Sequence, residues 1–482
     1  MDSAEKNSAF DKRLKRQVIG KPHRFLAVVP LGFEKTFVRE MDFLRRESVE
    51  NQGTNSLDIK IAGDGKVEFT AKLVDAWKVV AYSRIANRIL MHIADFKAEN
   101  FRELEKKAAE IPWELFLTTN HQPLTTIHVS CKHSRLYHSD AVAERLQKVI
   151  EGGSLPLAAA PVGSSATPSA GTPRNAPKSE ASDLAPHTSS LYVTLIDDRC
   201  TLWLDLAGEE LYKRGHERFV NDAPLKETIA AAILQEAFNA AILTTNHQPL
   251  ITLIDPMSGS GTFSLEAAYM ANALIPGKCR DFALKHQPAF KPATWDFLIR
   301  RENDNSMLSL RRNEVTAAIK SPIQKIVTSD ISERAVEIIQ HNVECCPLAN
   351  IAPSTAAPTI SPQLRDFFSY TAKEIADLCG ESFPVIVLNP PYGKRLDFDA
   401  PKLYTQIGKK LAELARELAP LGKQLTVAIL APKDDSRPGS KYTCTANLLH
   451  ECPALNPQQN SDAKCIVTSH GGISLNAIIA RI

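Results

Sequence analysis

The segment Ile251-Thr252-Leu253-Ile254-Asp255-Pro256-Met257-Ser258-Gly259-Ser260-Gly261-Thr262, running on into Phe263-Ser264-Leu265-Glu266-Ala267-Ala268, decides the architecture of the C-terminal half. An apolar run of strand length passes through a Gly-rich turn into a helix, which is the βα unit of a doubly wound α/β sheet. Gly259 and Gly261 allow tight turning and close approach of backbone to a ligand. The N–H groups at the start of a helix suit a carboxylate or phosphate. The loop is not a triphosphate-binding P-loop, because no Gly-Lys-Ser/Thr follows it. As a dinucleotide loop it is weak: that reading wants an acidic strand end about 20 residues on, and Ala271 to Gly277 contains no acid.

Downstream, acidic residues fall where successive strands should end. Asp255 closes the first strand and suits S-adenosylmethionine. Ile326-Val327-Thr328-Ser329-Asp330 is the next strand with an acidic end, and Asp330 can take both ribose hydroxyls of such a cofactor. Asp366, in Leu364-Arg365-Asp366-Phe367-Phe368, is expected at the end of a third strand, where it can meet an adenine edge. Val385-Ile386-Val387-Leu388 then stops at Asn389-Pro390-Pro391-Tyr392-Gly393-Lys394-Arg395-Leu396. Two prolines cannot continue a hydrogen-bonded ladder, so the strand ends there and the chain turns outward. Ligands of open α/β sheets bind at such carboxyl ends. The Asn389 side-chain oxygen and the Pro390 carbonyl can accept hydrogen bonds from an exocyclic amine, directing its lone pair at an electrophile. Tyr392 offers a face for a flipped base.

Outward from this core, the chain has 482 residues, enough for two or three domains. A hydrophobic content of 44% with 23% charged residues is that of a globular protein, and no apolar run reaches the ~18 residues of a membrane span. The polar N-terminus shows no secretory signal, and nine cysteines without C-x-x-C spacing argue for a reduced, cytoplasmic chain with no metal site. A net charge of +2 does not announce nucleic-acid binding, which would have to come from local patches.

Residues 1–21 read as a flexible basic lead. After it come a strand at Arg24 to Val29, a hairpin about Gly63-Asp64-Gly65, a helix expected over Lys72 to Leu90, helices at Phe101 to Ala109 and Ala141 to Ile150, and a strand at Ile127 to Val129. Residues 152–190 are rich in Ala, Pro, Ser, Gly and Thr and read as disordered, either a linker or an insertion. A hairpin follows, Leu191 to Ile196 with Thr201 to Leu206. Leu-Thr-Thr-Asn-His-Gln-Pro-Leu occurs at 117–124 and again at 243–250, without repeating flanks. Lys226 to Ala241 and Lys402 to Leu418 read as helices, Gln424 to Leu430 and Ile473 to Ile479 as strands, and Asp281 to Ser321, with basic pairs at Arg300-Arg301 and Arg311-Arg312, as an insertion between sheet strands.

Together, Asp255-Pro256-Met257-Ser258-Gly259-Ser260-Gly261-Thr262, Ser329-Asp330 and Asn389-Pro390-Pro391-Tyr392-Gly393-Lys394-Arg395-Leu396 resemble the THUMP-containing guanine-N2 methyltransferases of RNA, those of 23S ribosomal RNA above all. The likeness extends upstream through Leu204 to Gly215, Ala223 to Glu227, Val29 to Glu34 and the Leu73 to Arg88 segment. The resemblance implies a Rossmann-like class I methyltransferase domain over residues 216–482, preceded by a ferredoxin-like and THUMP RNA-binding region over 22–215, with 152–190 inserted in it. It implies S-adenosyl-L-methionine held by Asp255, Pro256, Met257, Gly259, Ser260, Gly261, Thr262, Asp330 and Asp366, and the guanine amine held by Asn389, Pro390, Pro391 and Tyr392. Ser258 stands where the family commonly has Cys, and the chain shows one methyltransferase domain where some relatives fuse two. The expected partner is structured RNA, ribosomal first and transfer RNA second. An RNA-binding assembly factor retaining the fold is the reading from another class, and a protein-glutamine methyltransferase would share Asn-Pro-Pro-Tyr without needing a THUMP region.

Overall fold

The computed structural model describes residues 3–49, 58–118, 126–152, 178–179, 189–220, 224–242, 250–300, 322–350, 358–392, 399–434 and 443–482. Most of the 152–190 stretch lies outside these residues, as do both copies of the repeat apart from Leu117, Thr118 and Leu250, the basic residues Arg301, Arg311 and Arg312, and Gly393 to Leu396.

Two seven-stranded sheets organise the chain. The first comprises β1 (His23–Val28), β2 (Ile59–Gly63), β3 (Lys66–Ala71), β4 (Arg88–Lys97), β5 (Thr126–Lys132), β7 (Ser190–Ile196) and β8 (Arg199–Asp205), in the order β2-β3-β1-β4-β8-β7-β5. Between β5 and β7 in sequence lies β6 (Lys178–Ser179), which pairs antiparallel with β9 (Phe219–Val220). These two residues of the stretch read as disordered are thus ordered by a backbone partner. All pairs of the first sheet are antiparallel except β5 with β7. Its strands alternate as half-buried strands must: Val67, Phe69 and Ala71 are buried while Lys66 and Thr70 are exposed. Gly65, at φ +68°, makes the β2–β3 turn, and its N–H and that of Gly32 both donate to Glu34 Oε1.

Two expectations fail in this half. The lead is not a free tail: Ser3–Leu14 is a helix, continued by a turn at Lys15–Ile19, and Leu14 and Val18 are buried against the first core. Phe10, Leu14 and Val18 recur every fourth residue, an apolar stripe hidden among lysines and arginines. The helix expected over Lys72 to Leu90 covers only Leu73–Tyr82. Ser83 breaks out at ψ 129°, its hydroxyl donating to buried Glu40 (2.6 Å) and accepting from the Ala86 N–H (3.0 Å). Ile85 fills the turn, and Ile89 and Leu90 begin β4, the strand between β1 and β8. Tertiary pairing overrides the helical leaning of Arg88-Ile89-Leu90-Met91.

The second sheet comprises β10 (Ile251–Asp255), β11 (Ile323–Asp330), β12 (Pro362–Leu364), β13 (Phe383–Leu388), β14 (Thr426–Pro432), β15 (Lys464–His470) and β16 (Ile473–Arg481). Its order is β12-β11-β10-β13-β14-β16-β15, parallel through β14 and antiparallel at β16 and β15. Strand order reverses between β10 and β13, which puts a ligand crevice at their carboxyl ends. The α/β reading of this half therefore holds. The strand expected at Ile473 is β16. Its partner β15, across Gly471 and Gly472, was not anticipated, because Lys464 to His470 is partly polar and sits at the sheet edge.

The central strands β10, β13 and β14 are buried on both faces, whereas β12 at the sheet edge is mostly exposed. Val385 and Val387 point into one core cluster, Ile386 and Leu388 into the other. The first of these clusters also contains Phe25, Trp77 and Leu204, so both sheets share apolar core. The Glu227–Ile242 helix, apolar nearly all round, lies within it and packs on β13, β14 and β16 and on the Glu34–Val49 helix of the N-terminal half.

Candidate active site

At the mouth of the β10–β13 crevice, the Gly-rich loop is held by the end of the neighbouring strand. Ser258 donates to the Ser329 carbonyl from both its N–H (3.2 Å) and its hydroxyl (2.8 Å). The Gly259 N–H donates to Asp330 Oδ2 (2.9 Å), and the Ser332 N–H to Oδ1 (2.9 Å). Asp330, expected to take ribose hydroxyls, thus organises the glycine loop, and each carboxylate oxygen keeps acceptor capacity for a further donor. Gly259 and Gly261 have φ +57° and +79°, the left-handed region open to glycine. A Cβ on Gly261 would stand 3.1 Å from the Ile339 side chain, whereas one on Gly259 would meet nothing within 4 Å. The loop therefore packs on its inner side and faces open space on its outer side.

Asp255 is fully buried at the end of β10. Its Oδ2 accepts from the Ser264 N–H (3.2 Å) and hydroxyl (2.8 Å), and its Oδ1 has no hydrogen-bond partner. Thr328 supports the arrangement by donating to the Ser264 hydroxyl (2.8 Å). Burial pushes the Asp255 carboxyl up to about 7, with the Asp330 carboxylate adding to the rise and the Ser264 bonds opposing it. Between the ordinary carboxylate range and pH 7 the folded chain keeps a proton that the unfolded chain has lost, so this group's contribution to stability falls as pH rises through 7. Asp255→Asn should consequently raise the unfolding midpoint at pH 8, by a free energy on the order of a few kcal/mol, with little difference at pH 4. Melting curves of both proteins across that range check this, and parallel curves would refute it.

Asn389 follows β13 directly, and its Oδ1 is buried without a hydrogen-bond partner. Pro390 beside it is buried, Pro391 exposed and Tyr392 half-buried, its ring packed against the first core cluster. Burial pushes the Tyr392 phenol up to about 12, so it stays neutral at physiological pH.

The remaining expected residues are placed as follows. Pro256 is buried and Met257 packs against the second cluster. The buried Ser260 presents its carbonyl to the Asn342 amide (3.2 Å). Thr262 starts the next helix with its hydroxyl turned inward to Arg218 and the Leu225 carbonyl. Asp366 comes two residues after β12 ends, and it caps a short helical turn by accepting from the Phe368 N–H (3.0 Å). Two residues that sequence reasoning passed over complete the frame. Asn342 lies on the buried face of its helix with Ala335, Ile338 and Ile339, and it exchanges hydrogen bonds with both Phe219 backbone groups (2.8 and 2.9 Å). An amide at an apolar position of that stripe was the available signal. Arg218, buried, pairs with Glu227 and donates to Thr262.

This chemistry is that of a site with two unsatisfied buried acceptors on adjacent strand ends, a carboxylate-held glycine loop and an aromatic ring. Residues 214–428 match the family model described as RMKL-like, methyltransferase domain. All the residues of the site fall within that match, and similarity to relatives extends beyond it. YpsC of Bacillus subtilis (strain 168) is 27% identical over 380 residues, 78% of this chain and 80% of YpsC. The ribosomal RNA large subunit methyltransferase K/L of Allochromatium vinosum is 28% identical over 367 residues, 72% of this chain and 42% of that protein. The chain thus spans less than half the length of that K/L methyltransferase. Among solved structures, SMU.472 in complex with SAH (S-adenosylhomocysteine) superposes with a TM-score of 0.61 at 22% identity, over 95% of this chain and 98% of that one. The chain therefore shares its fold with SMU.472 over nearly its whole length. Among the described residues no helix is long and apolar enough to cross a membrane.

Proposed function

We propose that this protein transfers a methyl group from S-adenosylmethionine to the exocyclic N2 amine of a guanine in 23S ribosomal RNA. The observation that carries the reading is Asn389 Oδ1, a buried amide oxygen without a partner at the strand end beside the glycine loop. An unmet buried acceptor costs about 1–3 kcal/mol, and a donor from a ligand removes that cost. The K/L relatives, named for ribosomal RNA of the large subunit, support the substrate class.

The residues fit such a cofactor. Asp255 Oδ1 is a second unmet acceptor, and the outer side of Gly259 is open. Asp255, Pro256, Met257, Gly259, Ser260, Gly261 and Thr262 would form its cradle, with Asp330 facing the ribose and Asp366 the adenine edge. When bound, S-adenosylmethionine supplies an electrophilic methyl on a sulfonium centre. Asn389 Oδ1 and the Pro390 carbonyl accept the two N–H bonds of the guanine amine, which draws its lone pair out of the ring and aims it in line with that methyl. As the N–C bond forms and the methyl–sulfur bond breaks, leaving neutral S-adenosylhomocysteine, the same two acceptors would stabilise the charge growing on nitrogen, and one amine proton would then leave to water. Tyr392 stacks on the base, which must be unpaired or flipped. Residues 22–215 would hold the RNA, as a ferredoxin-like and THUMP region does.

Asp330→Ala should weaken S-adenosylmethionine binding about 10- to 100-fold, since it removes a charged acceptor and also releases Gly259 and Ser332. Titration calorimetry of the purified chain measures this. Unchanged affinity would remove Asp330 from the cofactor site, and absence of binding by the unmodified chain would favour an assembly factor that keeps only the fold.

A further inference from the structure

The first sheet has two unlike faces. One carries Phe25, Ala27, Val67, Phe69, Ile89, Met91, Leu202 and Leu204 into the core. On the other, the strand registers bring a transverse row together: Trp203 lies opposite His92 on β4 and Tyr192 on β7, and Tyr192 lies opposite His128 on β5. Arg24 of β1 reaches over the Trp203 ring, its guanidinium 5.2 Å from the centroid, and the His92 ring meets Trp203 edge-on at 5.2 Å. Next along the row, the Arg88 guanidinium stands 5.4 Å from the Tyr192 centroid, and the Tyr192 and His128 rings stack at 4.7 Å with 22° between their planes.

Guanidinium, phenol and imidazole therefore form a column that runs across the strands and ends at His128 on β5, the edge strand. His128 is exposed. Burial, with Arg88 adding to it, pushes its imidazole below the ordinary value, so the ring at the end of the column is neutral at pH 7. Of the acids on this face, Asp95 and Asp205 are engaged by cations, while Glu68 of β3 stands opposite Lys60 of β2. Asp95 is engaged by Arg24 (2.9 Å), His92 (3.0 Å) and Thr201 (2.7 Å), and Asp205 by Arg88 (2.6 Å). Lys60, Lys66 and Lys132 are exposed on the same face.

We propose that this face is a stacking platform for a single-stranded segment of the RNA substrate, with a base continuing the Arg88–Tyr192–His128 column and phosphates meeting Arg24 and Lys132. The inference rests on the RNA reading given above and assigns a second RNA contact outside the catalytic crevice. Ring and guanidinium planes accept any base by stacking, and cations beside them follow the backbone. A duplex does not offer its base faces, so the platform selects unpaired nucleotides.

The test is equilibrium binding of the full chain to a labelled single-stranded oligoribonucleotide of mixed sequence and to an RNA hairpin of equal length. The single strand should bind more tightly. His128→Ala, at an exposed site that leaves the core intact, and Tyr192→Ala should each weaken it about tenfold, with Tyr192→Phe restoring affinity and S-adenosylmethionine binding unchanged. Lys132→Gln should lower the slope of log affinity against log salt by about one. RNA bound equally well by wild type and by both alanine variants overturns the platform while leaving the RNA reading standing. No RNA bound by wild type overturns that reading as well. A dimer in sedimentation that His128→Ala dissociates would make the face a contact between copies and overturn the platform.

Discussion

Asn389→Ala should lower methyl transfer about 100- to 1000-fold and leave S-adenosylmethionine affinity close to wild type. The magnitude is that of removing one preorganised polar group aimed at charge that develops in the transition state. The separation of effects follows from position: Asn389 stands at the end of β13, while the loop proposed to cradle the cofactor hangs from β10 and is tied to β11. Removing the amide deletes an unpartnered atom, so the folded chain loses no internal hydrogen bond at Oδ1 and its unfolding midpoint should not fall. Single-turnover assays with calorimetry on the same preparation measure both quantities. Transfer at the wild-type rate would show that the amine is oriented by other groups.

The second large effect is on stability. Glu266, on the helix that follows the glycine loop (Thr262–Ala271), is fully buried and takes a two-pronged contact from buried Arg214, with Nε to Oε1 at 2.9 Å and a terminal nitrogen to Oε2 at 3.2 Å. Arg84, from the N-terminal half, approaches the same carboxylate at 3.6 Å. Its guanidinium also donates to the Leu274 and Tyr269 carbonyls, while Arg214 donates to the Leu211 and Arg84 carbonyls. The carboxylate thus neutralises charge at the seam between the two sheets. Glu266→Ala leaves two guanidinium groups without their counter-charge in low dielectric and should cost about 3–5 kcal/mol. Replacing the pair together, Glu266→Leu with Arg214→Met, should be less damaging than the sum of the single changes, because the desolvation of both charges disappears. Denaturant unfolding of the four proteins checks it, and strict additivity would mean that the two side chains do not act as a pair.

Much of the second sheet could be read from the chain because its parallel strands are short apolar runs with abrupt polar ends, and those ends are the site. Ile251 to Asp255 and Val385 to Asn389 stand in the structure as they read in sequence. What escaped was set by neighbours. β4 is a strand because β1 and β8 flank it, whatever the helical leaning of its residues. The N-terminal helix is held by Leu14 and Val18, two apolar contacts that a count of charges hides. At the site, carboxylates at strand ends were legible, but their partners were not. Asp330 binds the loop's own backbone, and Thr262 turns inward because Arg218, distant in sequence, reaches it. Arg218 acts through long-range contacts that no local pattern encodes, and Asn342 shows in the sequence only as an amide on an apolar helix stripe.

The central claim is tested most directly by following labelled methyl from S-adenosylmethionine into 23S ribosomal RNA and, separately, into transfer RNA. Both should be unmodified at the start, with Asn389→Ala as control and nucleoside digestion to identify the product. The account predicts N2-methylguanosine in the ribosomal RNA, none in the transfer RNA and none with the variant. Label at another atom, such as the N6 amine of adenine, or label confined to transfer RNA, would contradict it.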